Sequence, residues 1–195
     1  VTGSHDPVID EISDLLRVQD PLSRVSSAHV GSMGAIMALK RGEAHLGGIH
    51  LLDEASGTYN LPYIRKYFPE GGVKLVGVAL RSQGLLVAKG NPLGIQSIAD
   101  LPGHRYVNRQ KGSGTRILTD YLCKQAGLDT NQIDGYQREE FTHTAVAAAI
   151  AAGTADAGMA ILSAARIYDL DFIPIANEEY AFLVADDAME LPQVQ

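Results

Sequence analysis

One pattern occurs four times along this 195-residue chain: a turn of small residues that opens a helix. The four turns are Gly3-Ser4-His5-Asp6-Pro7, Gly31-Ser32-Met33-Gly34, Gly112-Ser113-Gly114-Thr115-Arg116 and Thr142-His143-Thr144. Each follows a strand-like or extended run and leads into an apolar helical pattern. A repeated strand–turn–helix order restricts the chain to an α/β fold, with parallel sheets as the expected form. It also has a chemical consequence. A helix N-terminus leaves backbone N–H groups unpaired and carries partial positive charge, so it is a ready-made anion site. Four such ends converging on one cleft would form an oxyanion receptor.

The elements follow from periodicity and punctuation. Val1-Thr2 reads as the end of a first strand. Asp6-Pro7 reads as N-cap and first helical residue, with Val8, Ile9, Ile12, Leu15 and Leu16 on the buried face. Arg24 to Val30 reads as a second strand. Ser32 is expected to cap a second helix ending at Lys40, Arg41 and Gly42. Ala44 to Leu52 is apolar enough for a buried strand. Residues 53–72 break the pattern and read as an inserted loop with a short helix over Pro62 to Tyr67. Lys74 to Ala79 and Gly84 to Ala88 read as strands interrupted by Arg81-Ser82-Gln83. Further on come a strand over Arg105 to Asn108 and a helix over Thr115 to Gln125. A helix over Thr142 to Ala152 and a buried strand over Ala155 to Ile161 follow. Ala164 to Tyr168 is a short helix, and Phe172 to Ile175 and Tyr180 to Val184 close the chain as strands.

Composition removes several function classes. The chain has 20 Gly, no Trp and 6% aromatics, which argues against stacking platforms for nucleic acid. A net charge of −7 disfavours non-specific contact with nucleic acid or anionic membranes. No apolar run reaches the roughly 18 residues that span a bilayer. Cys123 is the one cysteine, so no internal disulfide forms, and it reads as a buried small hydrophobe. No signal peptide is visible at the start, and the chain reads as a domain cut from a longer protein or as a processed one. A cytoplasmic location is expected, with a periplasmic one open if a signal peptide was removed.

The residues that would hold an anion are concentrated in the four turns. Ser4, Ser32, Ser113 and Thr142 each offer an O–H, and Gly112 and Gly114 let the backbone approach oxygens closely. Met33 and Thr115 lie in the same turns, and His5 and His143 stand beside them as further donors. Arg109 or Arg116 would add a charge-assisted contact, though Arg116 equally suits an i,i+4 pair with Asp120. At about 1.5–3 kcal/mol per charge-assisted bond, about six to eight bonds would supply the roughly 8 kcal/mol of a micromolar site. No metal and no cofactor is called for, since His5, His50 and His143 match no zinc spacing. No catalytic residue is assigned: Glu139-Glu140 read as a solvated loop pair, and Asp156 as structural. The Gly112 to Thr115 turn lacks the Gly-Lys-Ser/Thr ending of a phosphate loop, which excludes that nucleotide motif.

Leu85 to Pro92, Ile98 to Leu101, Asn108 to Arg116 and Gly153 to Gly158, in this order, resemble the type II periplasmic-binding-protein fold. Within it they are similar to the molybdate- and tungstate-binding branch. Gly3 to Asp6, Gly31 to Gly34, Gly48 to Asp53 and Glu140 to His143 resemble the version of this domain fused to helix-turn-helix regulators or molybdenum-cofactor biosynthesis proteins. The resemblance covers essentially the whole chain. It implies two α/β lobes, residues 1–80 plus 172–195 and residues 81–171, with a ligand cleft between them. It also implies non-catalytic binding of molybdate or tungstate, with a DNA-binding segment outside this chain as the partner and no direct nucleic-acid contact. The alternative it carries is a molybdopterin-type intermediate, for which Tyr59, Tyr63 and Tyr67 of the insert would supply stacking. A third reading is an organic carboxylate.

Overall fold

The computed structural model describes residues 1–195 and shows an α/β fold. The chain divides into two compact units: Val1–Ala79 with Glu179–Gln195, and Leu80–Glu178. No helix is long and apolar enough to cross a membrane.

The first unit is built on β1 (Thr2–Gly3), β2 (Leu46–Ile49) and the end of β7 (Asp171–Ala185). β1 pairs parallel with β2, and β2 pairs antiparallel with β7. The helices α1 (Pro7–Gln19), α2 (Gly31–Lys40) and α3 (Leu61–Tyr67) complete it. Asp6 caps α1 by accepting from the Val8 N–H at 2.9 Å, with Pro7 at the first helical position, as the sequence predicts. The buried stripe of α1 is narrower than expected. Ile9 is buried and Ile12 and Leu16 face a cavity of about 250 Å³ shared with Leu46 and Phe182, while Leu15 is 64% exposed. Leu15 lies about 100° around the helix from Leu16, off that stripe.

Two features of the first unit depart from the periodicity reading. Arg24 to Val30 is not a strand; only Ala28 makes a bridge, to Thr2. Ser26, Ser27 and Ala28 are exposed, so this edge has no face to bury. Ser32 does not cap α2. The helix begins at Gly31, and the Ser32 hydroxyl accepts from the His50 N–H at 3.1 Å. The 53–72 insert carries α3 as expected.

The second unit contains β3 (Val73–Val87, entering from the first unit), β4 (Tyr106–Arg109), β5 (Glu139–Glu140) and β6 (Ala157–Ile161). Its helices are α4 (Gly114–Gln125), α5 (His143–Ala151) and α6 (Leu162–Ile167). β4 pairs parallel with β5 and β6, whereas β3 pairs antiparallel with β6. The sheets are therefore mixed and not parallel. β3 and β7 are long strands that carry the chain from one unit into the other and back, so they do not run in the direction set by strand–helix crossovers. The core is Leu86, Val107, Val146, Ala147, Ile150, Ala160, Ile161 and Ala164, with Phe172 packed against it.

β3 and β7 are each continuous where the sequence suggests a break. Arg81-Ser82-Gln83 and Asn177-Glu178 look like loop residues, but they pair with each other. Ser82 Oγ donates to Asn177 Oδ1 at 3.0 Å, Gln83 Nε2 donates to Glu178 Oε2, and Arg81 forms an ion pair with Glu178. These polar strand residues find partners across the ladder. Glu139 and Glu140 likewise form β5 rather than a loop.

Backbone proximity in the first unit is set by glycine. A Cβ at Gly48 would lie 2.1 Å from the Tyr180 hydroxyl and 2.6 Å from the Ser4 carbonyl. That hydroxyl donates to the same carbonyl at 2.9 Å. Gly48→Ala is therefore expected to displace Tyr180 and lower stability by about 1–3 kcal/mol, measured by denaturant unfolding.

Candidate functional site

The first unit gathers Ser4, His5, Ser32 and His50 around the end of β1, the start of α2 and the end of β2. All four are buried. Ser4 Oγ lies 2.7 Å from His50 Nε2, and the His50 backbone N–H donates to Ser32 Oγ. His5 Nε2 lies 3.2 Å from Asp10 Oδ2, its ring meets the edge of His29 at 4.6 Å, and its buried Nδ1 has no partner. Met33 follows on α2 and is half-buried. His50 was not among the residues the sequence singles out for the ligand. The signal for it was the Gly48-Ile49-His50 strand end.

The second unit gathers Arg109, Gly112, Ser113, Gly114, Thr115, Arg116, Thr142 and His143. Ser113 caps α4 by accepting from the Arg116 N–H at 3.1 Å, and Thr142 caps α5 by accepting from the Ala145 N–H at 3.0 Å. The Ser113 hydroxyl acts as acceptor in its cap, so its proton remains for donation, whereas the Thr142 hydroxyl also lies 3.1 Å from the Thr144 hydroxyl and is hydrogen-bonded to it. Gly112 has φ +83°, a left-handed conformation that keeps the turn before α4 tight.

The two arginines separate cleanly. Arg116 is paired: Nε donates to Asp120 Oδ1 at 2.8 Å, NH1 reaches Glu139 Oε1 at 3.3 Å, and the guanidinium lies 4.9 Å from the Tyr136 ring centre. The i,i+4 pair with Asp120 thus forms, with the Arg116 side chain buried at 6% exposure. Arg109 has no ion-paired carboxylate. It is fully buried, donates from Nε to Glu140 O at 3.2 Å and from NH2 to Phe141 O at 3.1 Å, and meets His143 Nδ1 at 2.9 Å through NH1. Arginine has five N–H donors, so two remain for another acceptor. Burial, with the nearby Arg81 adding to it, pushes the Arg109 guanidinium down to about 9, and Glu178 partly opposes this.

An arginine only donates, so His143 Nδ1 is the acceptor in that contact, and the neutral ring carries its proton on Nε2. His143 is therefore an N–H donor at the first residue of α5. Away from this cluster, Asp156 pairs with Arg105, in keeping with a structural role. Cys123 is buried, and burial raises its thiol above the ordinary range. No group of three or more His, Cys, Asp or Glu side chains is arranged to hold a metal ion. Sequence reasoning missed Gln110, which is 5% exposed next to Arg109, and Asn108, whose amide donates to the Tyr136 carbonyl. Both stand in the Asn-Arg-Gln run that ends β4.

A model of the PBP superfamily domain matches residues 13–195. The Bacillus subtilis uncharacterized protein YvgK is 36% identical over 156 residues, which is 79% of this chain and 51% of that protein. The chain thus spans about half the length of that relative. Among solved structures, one similar chain is a phosphate-bound substrate-binding protein of Clostridium perfringens assigned to a phosphate ABC transporter. It has a TM-score of 0.69 at 14% identity, over 99% of this chain and 88% of that one. Another is the CcmR regulatory domain of Synechocystis PCC6803 in complex with 2-PG. It has a TM-score of 0.67 at 15% identity, over 95% of this chain and 85% of that one. At these identities the likeness is one of fold. Ser113→Ala and Thr142→Ala are each expected to cost about 1 kcal/mol by removing an N-cap, read as lowered midpoints in urea unfolding.

Proposed function

The chain belongs to the PBP superfamily, and from that membership we propose that it binds, without catalysis, a small tetrahedral oxyanion or a small molecule bearing one. Molybdate, tungstate and phosphate-type ions are the candidate ligands. The observation that carries this reading is Arg109, a fully buried guanidinium with two unused N–H groups and no ion-paired carboxylate. An anion supplies the counter-charge it lacks, and the α5 N-terminus adds dipole and an imidazole N–H to the same cluster. The α4 N-terminus and the Ser113 hydroxyl are the other groups of this unit assigned to the ligand. Arg116 is assigned a positioning role, because two carboxylates already neutralise it. The bound phosphate and 2-PG of the two structural relatives support a small-ligand reading. The length of the Bacillus relative and the regulatory-domain likeness support a further reading, that the chain is the sensor part of a longer protein.

Calorimetric titration with molybdate, tungstate, phosphate and sulfate tests the proposal. Saturable heat from at least one is expected, and silence from all four with folded protein overturns it. Arg109→Gln should weaken binding by about tenfold to a hundredfold, the share of one charge-assisted bond. Retained thermal unfolding of the variant separates this from loss of fold. The pH dependence has a definite sign. Below its lowered value of about 9, Arg109 is charged and binds anions; above it the charge is lost. Affinity for molybdate should therefore fall as pH rises through about 9. Near that pH, binding should take up protons, because a bound anion favours charged Arg109. Titration in buffers of different ionisation heat measures this.

A further inference from the structure

The first unit contains a cavity of about 250 Å³ that the oxyanion reading does not use. Its wall is mostly apolar. Ile9, Ile12 and Leu16 come from one stripe of α1, and Val25, Leu46 and Phe182 add to it. Every residue that lines it belongs to Val1–Ala79 or Glu179–Gln195, and none is a residue assigned to the oxyanion.

The polar part of the wall carries one sign of charge. Arg24 and His45 line the cavity and no Asp or Glu does, in a chain whose net charge is −7. Arg24 is anchored through a single nitrogen: NH1 donates to the Pro21 carbonyl at 2.5 Å and to the Ser23 carbonyl at 2.9 Å. Asp20 feels the Arg24 charge, but its oxygens accept from the Leu22 N–H at 3.0 Å and the Ser23 hydroxyl at 2.8 Å. Arg24 Nε and NH2 make no hydrogen bond within the protein, and neither does the His45 ring. The Nε–NH2 edge is the one that grips a carboxylate through two parallel bonds.

An apolar chamber with a few placed polar groups is the ordinary form of a small-molecule site. We propose that this cavity is a second binding site, for a medium-chain aliphatic monocarboxylate. Its tail lies against Ile12, Leu16 and Phe182, its carboxylate meets Arg24 Nε and NH2, and His45 is a further donor. Volume sets the size. An engineered apolar cavity of about 150 Å³ takes the six carbons of benzene, so 250 Å³ admits roughly ten heavy atoms, the count of octanoate.

Calorimetric titration of the chain with butyrate, hexanoate and octanoate tests the proposal. Affinity should rise about threefold to fourfold per methylene, the transfer free energy of a buried CH2, to a single octanoate per chain. Octylammonium, with the same tail and the opposite charge, should bind at least about tenfold more weakly, the share of one charge-assisted bond. Arg24→Gln should weaken octanoate by about tenfold and leave octanol unchanged, with circular dichroism confirming the fold. Octylammonium binding as tightly as octanoate overturns the inference, as does octanoate binding that ignores Arg24→Gln, or no saturable heat from octanoate. A chain that sediments as a dimer and binds no octanoate assigns the cavity to a second copy, which overturns it equally. The octanoate–octylammonium comparison needs no variant, so the inference is refutable even where Arg24→Gln does not fold. Its failure leaves the oxyanion reading standing, because the two sites share no residue.

Discussion

A guanidinium with no solvent contact sits at the end of β4 in the second unit, and its neighbours are arranged to tolerate it. Removing Arg109 from water costs several kcal/mol unless hydrogen bonds and charge compensate. Two backbone carbonyls from the Glu140-Phe141 segment and one imidazole nitrogen supply the bonds. To place those carbonyls, β5 must lie beside β4, and Asn108 and Arg109 pair with Glu139 and Glu140 in parallel register. To place the imidazole, α5 must begin at His143, directly after the Thr142 cap. Burial, with Arg81 nearby, holds the Arg109 guanidinium below its ordinary basicity, and Glu178 only partly opposes this.

A second buried charge is handled in a different way. Glu178 on β7 is fully buried and takes both Arg81 and Gln83 from β3. Here charge meets charge within the protein, and the result is register between two long strands. The same contrast separates Arg116, closed off by Asp120 and Glu139, from Arg109 earlier in the chain on β4. Fully paired arginines hold structure. Arg109 is instead held by two carbonyls and an imidazole nitrogen, with no carboxylate paired to it.

The helix starts were legible because capping is local. Asp6, Ser113 and Thr142 each bond to an N–H two or three residues ahead, so the sequence contains both partners. The buried strand β6 was legible from its apolar run, and the helix stops at Gly42, Gly127 and Gly153, which adopt left-handed φ, from the glycine residues themselves. Legibility ended where the partner is distant. Ser32 looks like a cap but serves His50, 18 residues on, and Ser4 pairs with the same histidine 46 residues away. Arg81-Ser82-Gln83 looked like a break because its satisfying residues come 95 positions later.

The sequence by itself determined the α/β class, the order of most elements and the turns that carry the candidate anion donors. Those properties depend on periodicity of two or 3.6 residues and on hydrogen bonds spanning one helical turn. Only the tertiary structure decided strand direction, the continuity of β3 and β7, and which of Arg109 and Arg116 is paired with carboxylates. It alone exposed Gln110, since an amide is unsatisfied only when everything around it has been placed. Pairing over tens of residues leaves no periodic trace, and so which polar residues are paired with one another appears only once the chain has folded.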